Sequence, residues 1–430
     1  NLDLQFKKKS RIQGTFELND YRNFMKGHFD EKLNYAFLDF NELKTLRLPN
    51  RSEIRYIELT PELQALNHLE IKDASAKGTF NQFEIASNTL STSLGEVTIK
   101  NGLLFTKIEE QNSYLFRPNR MNENDVHIHD FKLGTLINVE EFGILNGRFL
   151  LEGEINSNYD LILSSLNGEI NRFDYLDYKY SDIRIDQGSF ANEVFNGYLS
   201  VMDDNLQLTC EGFIDLKENK HLKFTLDVHE AELENINMTS SNFKLLSKAE
   251  FDLYGDNPNN FDGNVQLNGL QIETNGELLS VDHLKLQIDR TPYADLFSIK
   301  SSLGSANIQG KINFKHLKDD LNYQLSRLFP ALFDEVQDKY NHHGQDHFKY
   351  NLSLLDANAL VKTIYPKLSV APKLELYGHY FGEKSNFNMV LKSEHLDYEK
   401  FRFENIILNQ FMDSTSTIAI YHANEFSIGD

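Results

Sequence analysis

Apolar and polar residues alternate with a period of two, again and again, along most of this chain. Leu206, Leu208 and Cys210 fall on one side of a strand, Gln207 and Thr209 on the other. Phe224, Leu226 and Val228 alternate with Lys223, Thr225 and Asp227, and Leu284, Leu286 and Ile288 with Lys285, Gln287 and Asp289. Ile308, Ile312 and Phe314 share a parity around Gly310; Ile183 and Ile185 flank Arg184, and Leu374 and Leu376 flank Glu375. Each pattern predicts a strand with one dry and one wet face. One-sided strands favour an antiparallel sheet over a doubly wound parallel one.

Turn signals separate these strands roughly every 10–15 residues. Asp203-Asp204-Asn205, the stretch from Lys217 to Lys220, and Asp256-Asn257-Pro258-Asn259-Asn260 are polar connections of the hairpin kind. A glycine opens an alternating strand at Gly14, Gly78, Gly147, Gly168, Gly197, Gly212, Gly263 and Gly310. The spacing is irregular, so this is a repeated habit and not a strict-period solenoid. Helical signals are few. Thr60-Pro61-Glu62 predicts a short helix from Pro61 to about Leu66. Leu317, Leu321, Leu325 and Leu328 recur at helical spacing before Pro330, with Leu332, Phe333 and Val336 beyond it. Asp356 is placed to cap a helix carrying Leu360 and Ile364 and ending before Pro366. The polar, histidine-rich stretch from Gln337 to Gln345 reads as a loop.

Roughly 30 one-sided strands cannot all lie in one flat open sheet, which rarely exceeds ~10 strands without curling or splitting. Their dry faces need a self-filled sandwich, a closed barrel, or a sheet curled into a trough. At ~4.8 Å per strand a single sheet of that size would run roughly 140 Å. A trough of this kind would be lined with apolar side chains, and its natural occupant is a fatty chain. The expected class is therefore all-β, mainly an elongated, mostly antiparallel, curled β-groove with a few short helices. The chain has 430 residues, enough for roughly three domains or one long repetitive body. It is read as one body, 1–430, with 1–140, 141–316 and 346–430 as subdivisions and 317–345 as a helical or loop insertion. The groove-lining candidates are Ile183, Ile185, Leu206, Leu208, Phe224, Leu226, Val228, Leu284, Leu286, Ile288, Ile308, Ile312, Phe314, Leu374 and Leu376. A closed sandwich in which the same side chains pack on one another remains the competing arrangement.

Composition narrows the function classes. There are 43 basic and 64 acidic residues, a net charge of −21, which argues against a nucleic-acid binder and against charge-driven docking on anionic membranes. The 32 Phe and 19 Tyr suit half-buried strands and speak against disorder. No run of 18 apolar residues is present. The chain opens at Asn1 without a signal peptide, as expected of a fragment or a mature form. With Cys210 the single cysteine, neither an intrachain disulfide nor a cysteine-based zinc site can form.

The chemistry-bearing residues are sparse. No phosphate loop, nucleophile elbow or zinc-protease helix is present. His127 and His129 sit one residue apart on a strand, and His342, His343, Asp346 and His347 cluster near a loop; without a placed third ligand both read as solvated polar residues. Asp256, Asn260, Asp262 and Gly263 faintly resemble a calcium loop, but Pro258 takes the place of an oxygen ligand. Cys210 reads as a small buried hydrophobe and Asp203-Asp204 as turn acids. No cofactor, metal or catalytic residue is expected.

The strand grammar resembles a known family. The segments LNGRFLLEGEI, LNGEINRFDYLDYKYSDIRID, FNGYLSVMDDNLQLTCEGFIDL and LKFTLDVHEAEL, between Leu145 and Leu233, are similar to the Bacteroidetes branch of the TamB and AsmA-like envelope proteins. So are 71–102, with its glycine-strand followed by Thr-x-x-Gly-strand, and SSLGSANIQGKINF at 301–314. The resemblance implies a β-groove in the periplasm of a Gram-negative bacterium, with the full-length protein anchored in the inner membrane. It implies a non-enzymatic role in envelope biogenesis, in which phospholipid or another fatty-chain lipid moves between inner and outer membranes or outer-membrane protein assembly is supported. The family's outer-membrane barrel partner is expected to meet a part of the full-length protein not recognisable here. A secreted glycan-binding or glycan-degrading protein is the alternative; such platforms usually recruit Trp, which is absent. A passive adhesin or stalk is the third reading.

Overall fold

In the computed structural model, the described residues are 1–19, 27–48, 55–57, 59, 64–119, 126–137, 139–158, 160–215, 217, 220–274, 276–314, 346–364, 367–382, 386–412 and 417–428. They form two compact units: Asn1–Phe213 with Glu234–Ser240, and Ile214–Leu233 with Ser241–Asp430. Among the described residues, twenty-seven strands are assigned to one sheet, and the described pairings are all antiparallel.

The first unit holds β1 (Leu2–Phe6), β2 (Ser10–Asn19), β3 (His28–Asp39), β4 (Arg47–Leu48), β5 (Arg55–Tyr56), β6 (His68–Thr79), β7 (Gln82–Thr92) and β8 (Gly95–Ile108). It continues with β9 (Ser113–Pro118), β10 (Val126–Lys132), β11 (Phe142–Ile155), β12 (Leu161–Tyr175), β13 (Tyr178–Tyr180), β14 (Ile183–Ala191) and β15 (Val194–Asp203). The division between units falls inside β16 (Leu206–Asp215). Neighbours in sequence are neighbours in the sheet. The exceptions are local: β4 and β5 form their own hairpin, β9 and β10 both bridge β8 to β11, and β13 and β14 both pair with β12.

The second unit holds β17 (His221–Glu232), β18 (Lys244–Tyr254), β19 (Asp262–Thr274), β20 (Glu277–Arg290), β21 (Asp295–Ser301), β22 (Gly304–Lys311) and β23 (His347–Leu354). After the helix Ala357–Ile364 come β24 (Leu368–Val370), β25 (Leu374–Phe381), β26 (Asn386–Tyr398), β27 (Phe401–Met412), β28 (Thr417–His422) and β29 (Glu425–Ile428). This too is a meander, with β24 and β25 both on β26, and β28 and β29 both on β27.

Local chemistry explains the punctuation. The expected turns at Asp203–Asn205 and Asp256–Asn260 separate β15 from β16 and β18 from β19. In the latter, Asn260 Oδ1 accepts from the backbone N–H of Asp256 and Asn257, both at 3.0 Å, so the loop is closed by its own side chain. Asp356 caps the helix Ala357–Ile364 by accepting from Ala359 N–H at 3.4 Å, at the position the sequence suggests. Gly310 is required where β22 meets β23: its φ is +152°, and a Cβ there would lie 2.0 Å from the His347 carbonyl oxygen and 2.5 Å from Phe348 Cα.

One strand is shorter than its pattern suggests. Alternation through Phe314 predicts a strand to that residue, but β22 ends at Lys311. The carboxylate of Asp346 accepts from Asn313 N–H at 2.9 Å, and Asn259 Oδ1 accepts from Phe314 N–H at 2.7 Å, so both donors leave the ladder. The predicted helix from Pro61 shows helical geometry at Gln64 and Ala65, its remaining residues up to 63 lying outside the described residues. The expected insertion at 317–345, with the helix and histidine-rich loop predicted there, also lies outside them.

Candidate functional site: an apolar sheet face

The register of the second unit turns alternation into continuous rows. Phe224, Phe251, Val265, Leu286, Ile299, Ala306, Leu352, Leu376, Leu391, Leu408 and Tyr421 are successive cross-strand partners from β17 to β28. No charged residue or amide interrupts that row. Two residues along each strand runs a second row: Leu222, Leu253, Gly263, Ile288, Phe297, Ile308, Tyr350, Gly378, Met389, Gln410 and Ala419. Residues of odd offset face the other way. Thr225, Glu250, Gln266, Lys285, Lys300, Ser305, Ser353, Glu375 and Lys392 form one row of that polar face. One side of the sheet is therefore mainly oily, with Gln410 the amide in its second row, and the other is wet.

The oily face is closed at its two flanks and half-open between them. At one flank, Leu253, Ile288, Phe297, Ile312, Phe348, Tyr380, Phe387, Met389, Leu408 and Met412 make a buried cluster. Arg290 borders it: its guanidinium lies 5.1 Å from the Phe297 ring and donates to the buried Asp295 carboxylate at 2.6 Å, to Phe261 O at 2.9 Å and to Pro258 O at 2.8 Å. At the other flank the helix Ala357–Ile364 lies on the sheet, and its Leu360 packs against two clusters, one around Leu354, Val370 and Leu374 and one around Leu270, Leu279 and Val281. Asn358 ties this helix down by accepting from Ser369 Oγ at 2.9 Å and Val370 N–H at 3.2 Å. Between the flanks, Phe251, Val265, Leu286, Ile299, Leu352, Leu376 and Leu391 are only half-buried.

Glycines set the depth of the face. At Gly378 a Cβ would stand 2.0 Å from Asn388 O and 2.6 Å from Tyr350 Oη. The missing side chain lets the Tyr350 phenol cross β25 and donate to Asn388 O at 2.9 Å. Burial raises the pKa of that phenol well above its ordinary value.

The first unit repeats the arrangement. Leu4, Ile12, Ala36, Ile71, Leu90, Val97, Ile128, Gly147, Ile170, Ile183 and Val201 are cross-strand partners in succession. A second row on that face is aromatic: Leu18, Phe29, Gly78, Phe83, Phe105, Phe116, Gly153, Leu163, Phe190 and Phe195. Phe83 and Phe105 stack at 5.1 Å, and Phe105 and Phe116 are tilted at 5.8 Å. His127, Arg148, Glu169, Arg184 and Ser200 line up on the reverse, polar face.

The sequence-derived lining residues distribute over these faces. Ile183 and Ile185 lie on the apolar side of β14; Leu206 is buried and Leu208 half-buried on β16. Phe224, Leu226 and Val228 on β17, Leu284, Leu286 and Ile288 on β20, Ile308 on β22, and Leu374 and Leu376 on β25 all belong to the apolar side of the second unit. Ile312 lies past the end of β22 yet joins the buried cluster. Phe314 lies outside the strand, 37% exposed, with its ring edge-on to Phe297 at 5.4 Å. Sequence reasoning missed the aromatic row of the first unit, although Phe83 and Phe105 sit in alternating segments, because alternation does not say which strands become neighbours. It also missed Gln410.

The polar candidates are structural. Asp203 is buried and accepts from Tyr178 Oη, Ser181 N–H and Oγ, and Asn205 N–H. Desolvation pushes against its ionised form, but these hydrogen bonds prevail and hold its pKa below the usual carboxylate range. Asp256 is lowered to about 2 by Lys220, Asn260 and Asn257. Burial pushes the Cys210 thiol up. His127 is buried and His129 exposed, their rings 6.4 Å apart. His342 and His343 lie outside the described residues, and among the described residues no group of three metal-ligating side chains forms. Among them also, no helix is long and apolar enough to cross a membrane. The chain matches no family model, no curated protein and no solved structure.

Proposed function

We propose that this protein is a non-enzymatic carrier of fatty-chain lipid, acting in the periplasm of a Gram-negative bacterium as part of an envelope-biogenesis protein of the TamB and AsmA-like kind. Acyl chains lie along the cross-strand rows of the apolar face, and polar headgroups stay at its wet margin. The observation that carries this reading is the half-buried row from Phe224 to Leu391, with no charged residue or amide along it. An apolar row that is incompletely covered offers each CH₂ of a bound chain about 0.8 kcal/mol on leaving water. The polar reverse face and the charge of −21 keep such a body in solution. Carriage of this sort needs no reacting group.

Gentle purification followed by native mass spectrometry tests the reading, together with titration of a fluorescent fatty acid. Co-purified lipid and saturable probe binding are expected, and Leu286→Glu, which places a charge in the middle of the row, abolishes probe binding while the strand signal of the circular dichroism spectrum persists. A protein that carries no lipid and binds no probe sinks the proposal.

A further inference from the structure

Gln410 stands out against the face that surrounds it. It lies on β27 in a row otherwise built of apolar residues, Tyr and Gly, between Met389 on β26 and Ala419 on β28. It is 1% exposed, and neither its Nε2 nor its Oε1 has a hydrogen-bond partner among the described residues. Among the described residues no other side-chain amide has both polar atoms buried and unpartnered. A buried amide without partners is costly, more so than a serine hydroxyl that can rotate toward a neighbour. Its neighbours on the same face include two unbranched, pliable side chains, Met389 directly across and Met412 two residues along the strand, both within the buried cluster. Ala419 on the other side is small and sits on the edge strand.

We propose that the Gln410 amide is the recognition point for the carbonyl of an acylated lipid, its N–H donating to the oxygen of an ester or amide linkage. The proposal rests on the lipid-carrying reading and sharpens it: the cargo is an acyl-linked lipid and not a bare hydrocarbon or an ether lipid. The linkage sits at the β26–β28 margin and the hydrocarbon runs toward β25 and β23, where the row is apolar. Methionine displacement opens the amide when the ligand arrives.

The test compares a diacylglycerol with the di-O-alkyl glycerol of equal chain length, each displacing a fluorescent alkyl probe from the whole chain. The ether lacks only the carbonyls. The wild type is expected to favour the ester by about 5- to 10-fold, the worth of one well-placed hydrogen bond. Gln410→Leu removes that preference, so that ester and ether displace the probe with equal affinity, and Gln410→Met serves the same purpose if the leucine variant fails to fold. Equal affinity of the wild type for both lipids overturns this proposal and leaves the carrier reading standing. Displacement by neither lipid overturns both.

Discussion

The contrast between Leu286 and Leu408 tests whether the apolar face is open. Both are leucines in the same cross-strand row of the second unit, but Leu286 is half-buried and Leu408 is 5% exposed within the main cluster. Truncation to alanine removes three carbons, worth about 2.4 kcal/mol if all are fully withdrawn from water. At Leu408 a cavity penalty adds to this, for a total of about 3–4 kcal/mol. At Leu286 roughly half of the transfer contribution is in play and the space left is continuous with solvent, which brings the loss to about 1–1.5 kcal/mol. Urea titrations followed by circular dichroism measure both, read on the transition belonging to the second unit because a chain of two compact units need not unfold in one step. A saturating fatty-acid probe should stabilise the wild type and the Leu408→Ala variant alike, and stabilise Leu286→Ala less. Equal losses near 3 kcal/mol for the two alanine variants, with no effect of the probe, would mean that the row is sealed inside a closed core, and the reasoning from half-burial would fail.

Other expectations follow from single contacts. Gly378→Ala brings a methyl group into Asn388 O and Tyr350 Oη and should cost about 2–4 kcal/mol in thermal or urea unfolding, through overpacking and loss of the hydrogen bond. Tyr350→Phe removes only that bond, and a loss near 1 kcal/mol is expected in the same measurement. The depressed pKa of Asp203 means that its contribution to stability is complete above the ordinary carboxylate pKa and disappears as pH falls through the lower folded value. The gap in melting temperature between wild type and Asp203→Asn should therefore be full at neutral pH and close in acid; a gap independent of pH would contradict the assignment. Because burial raises the Cys210 thiol, its alkylation at pH 8 should run slower in the native protein than in urea, as a thiol-reagent time course would show.

Several parts of the structure can be read without coordinates. Glu250, Gln266, Lys285 and Glu375 are wet and Phe251, Leu286 and Leu376 dry because successive side chains of a strand point to opposite faces, so parity alone assigns them. The capping Asp356 and the Asn260 turn are likewise local: each is a side chain bonding to backbone a few residues away. Phe314 shows where local reading stops. Its parity fits the strand, but Asp346 and Asn259, distant in sequence, capture the N–H groups of Asn313 and Phe314 and end the ladder.

Alternation, turn residues and composition were therefore enough to determine an all-β chain of one-sided antiparallel strands. Tertiary structure alone decided that Phe29, Phe83, Phe105 and Phe116 lie in one row, that the row through Leu286 is left half-covered, and that Gln410 is buried across from Met389 with no hydrogen-bond partner among the described residues. The reason is register. Which residues become neighbours across strands depends on hydrogen bonds between distant segments, and a shift by one residue would turn a whole strand over, whereas the alternation within each strand would remain unchanged.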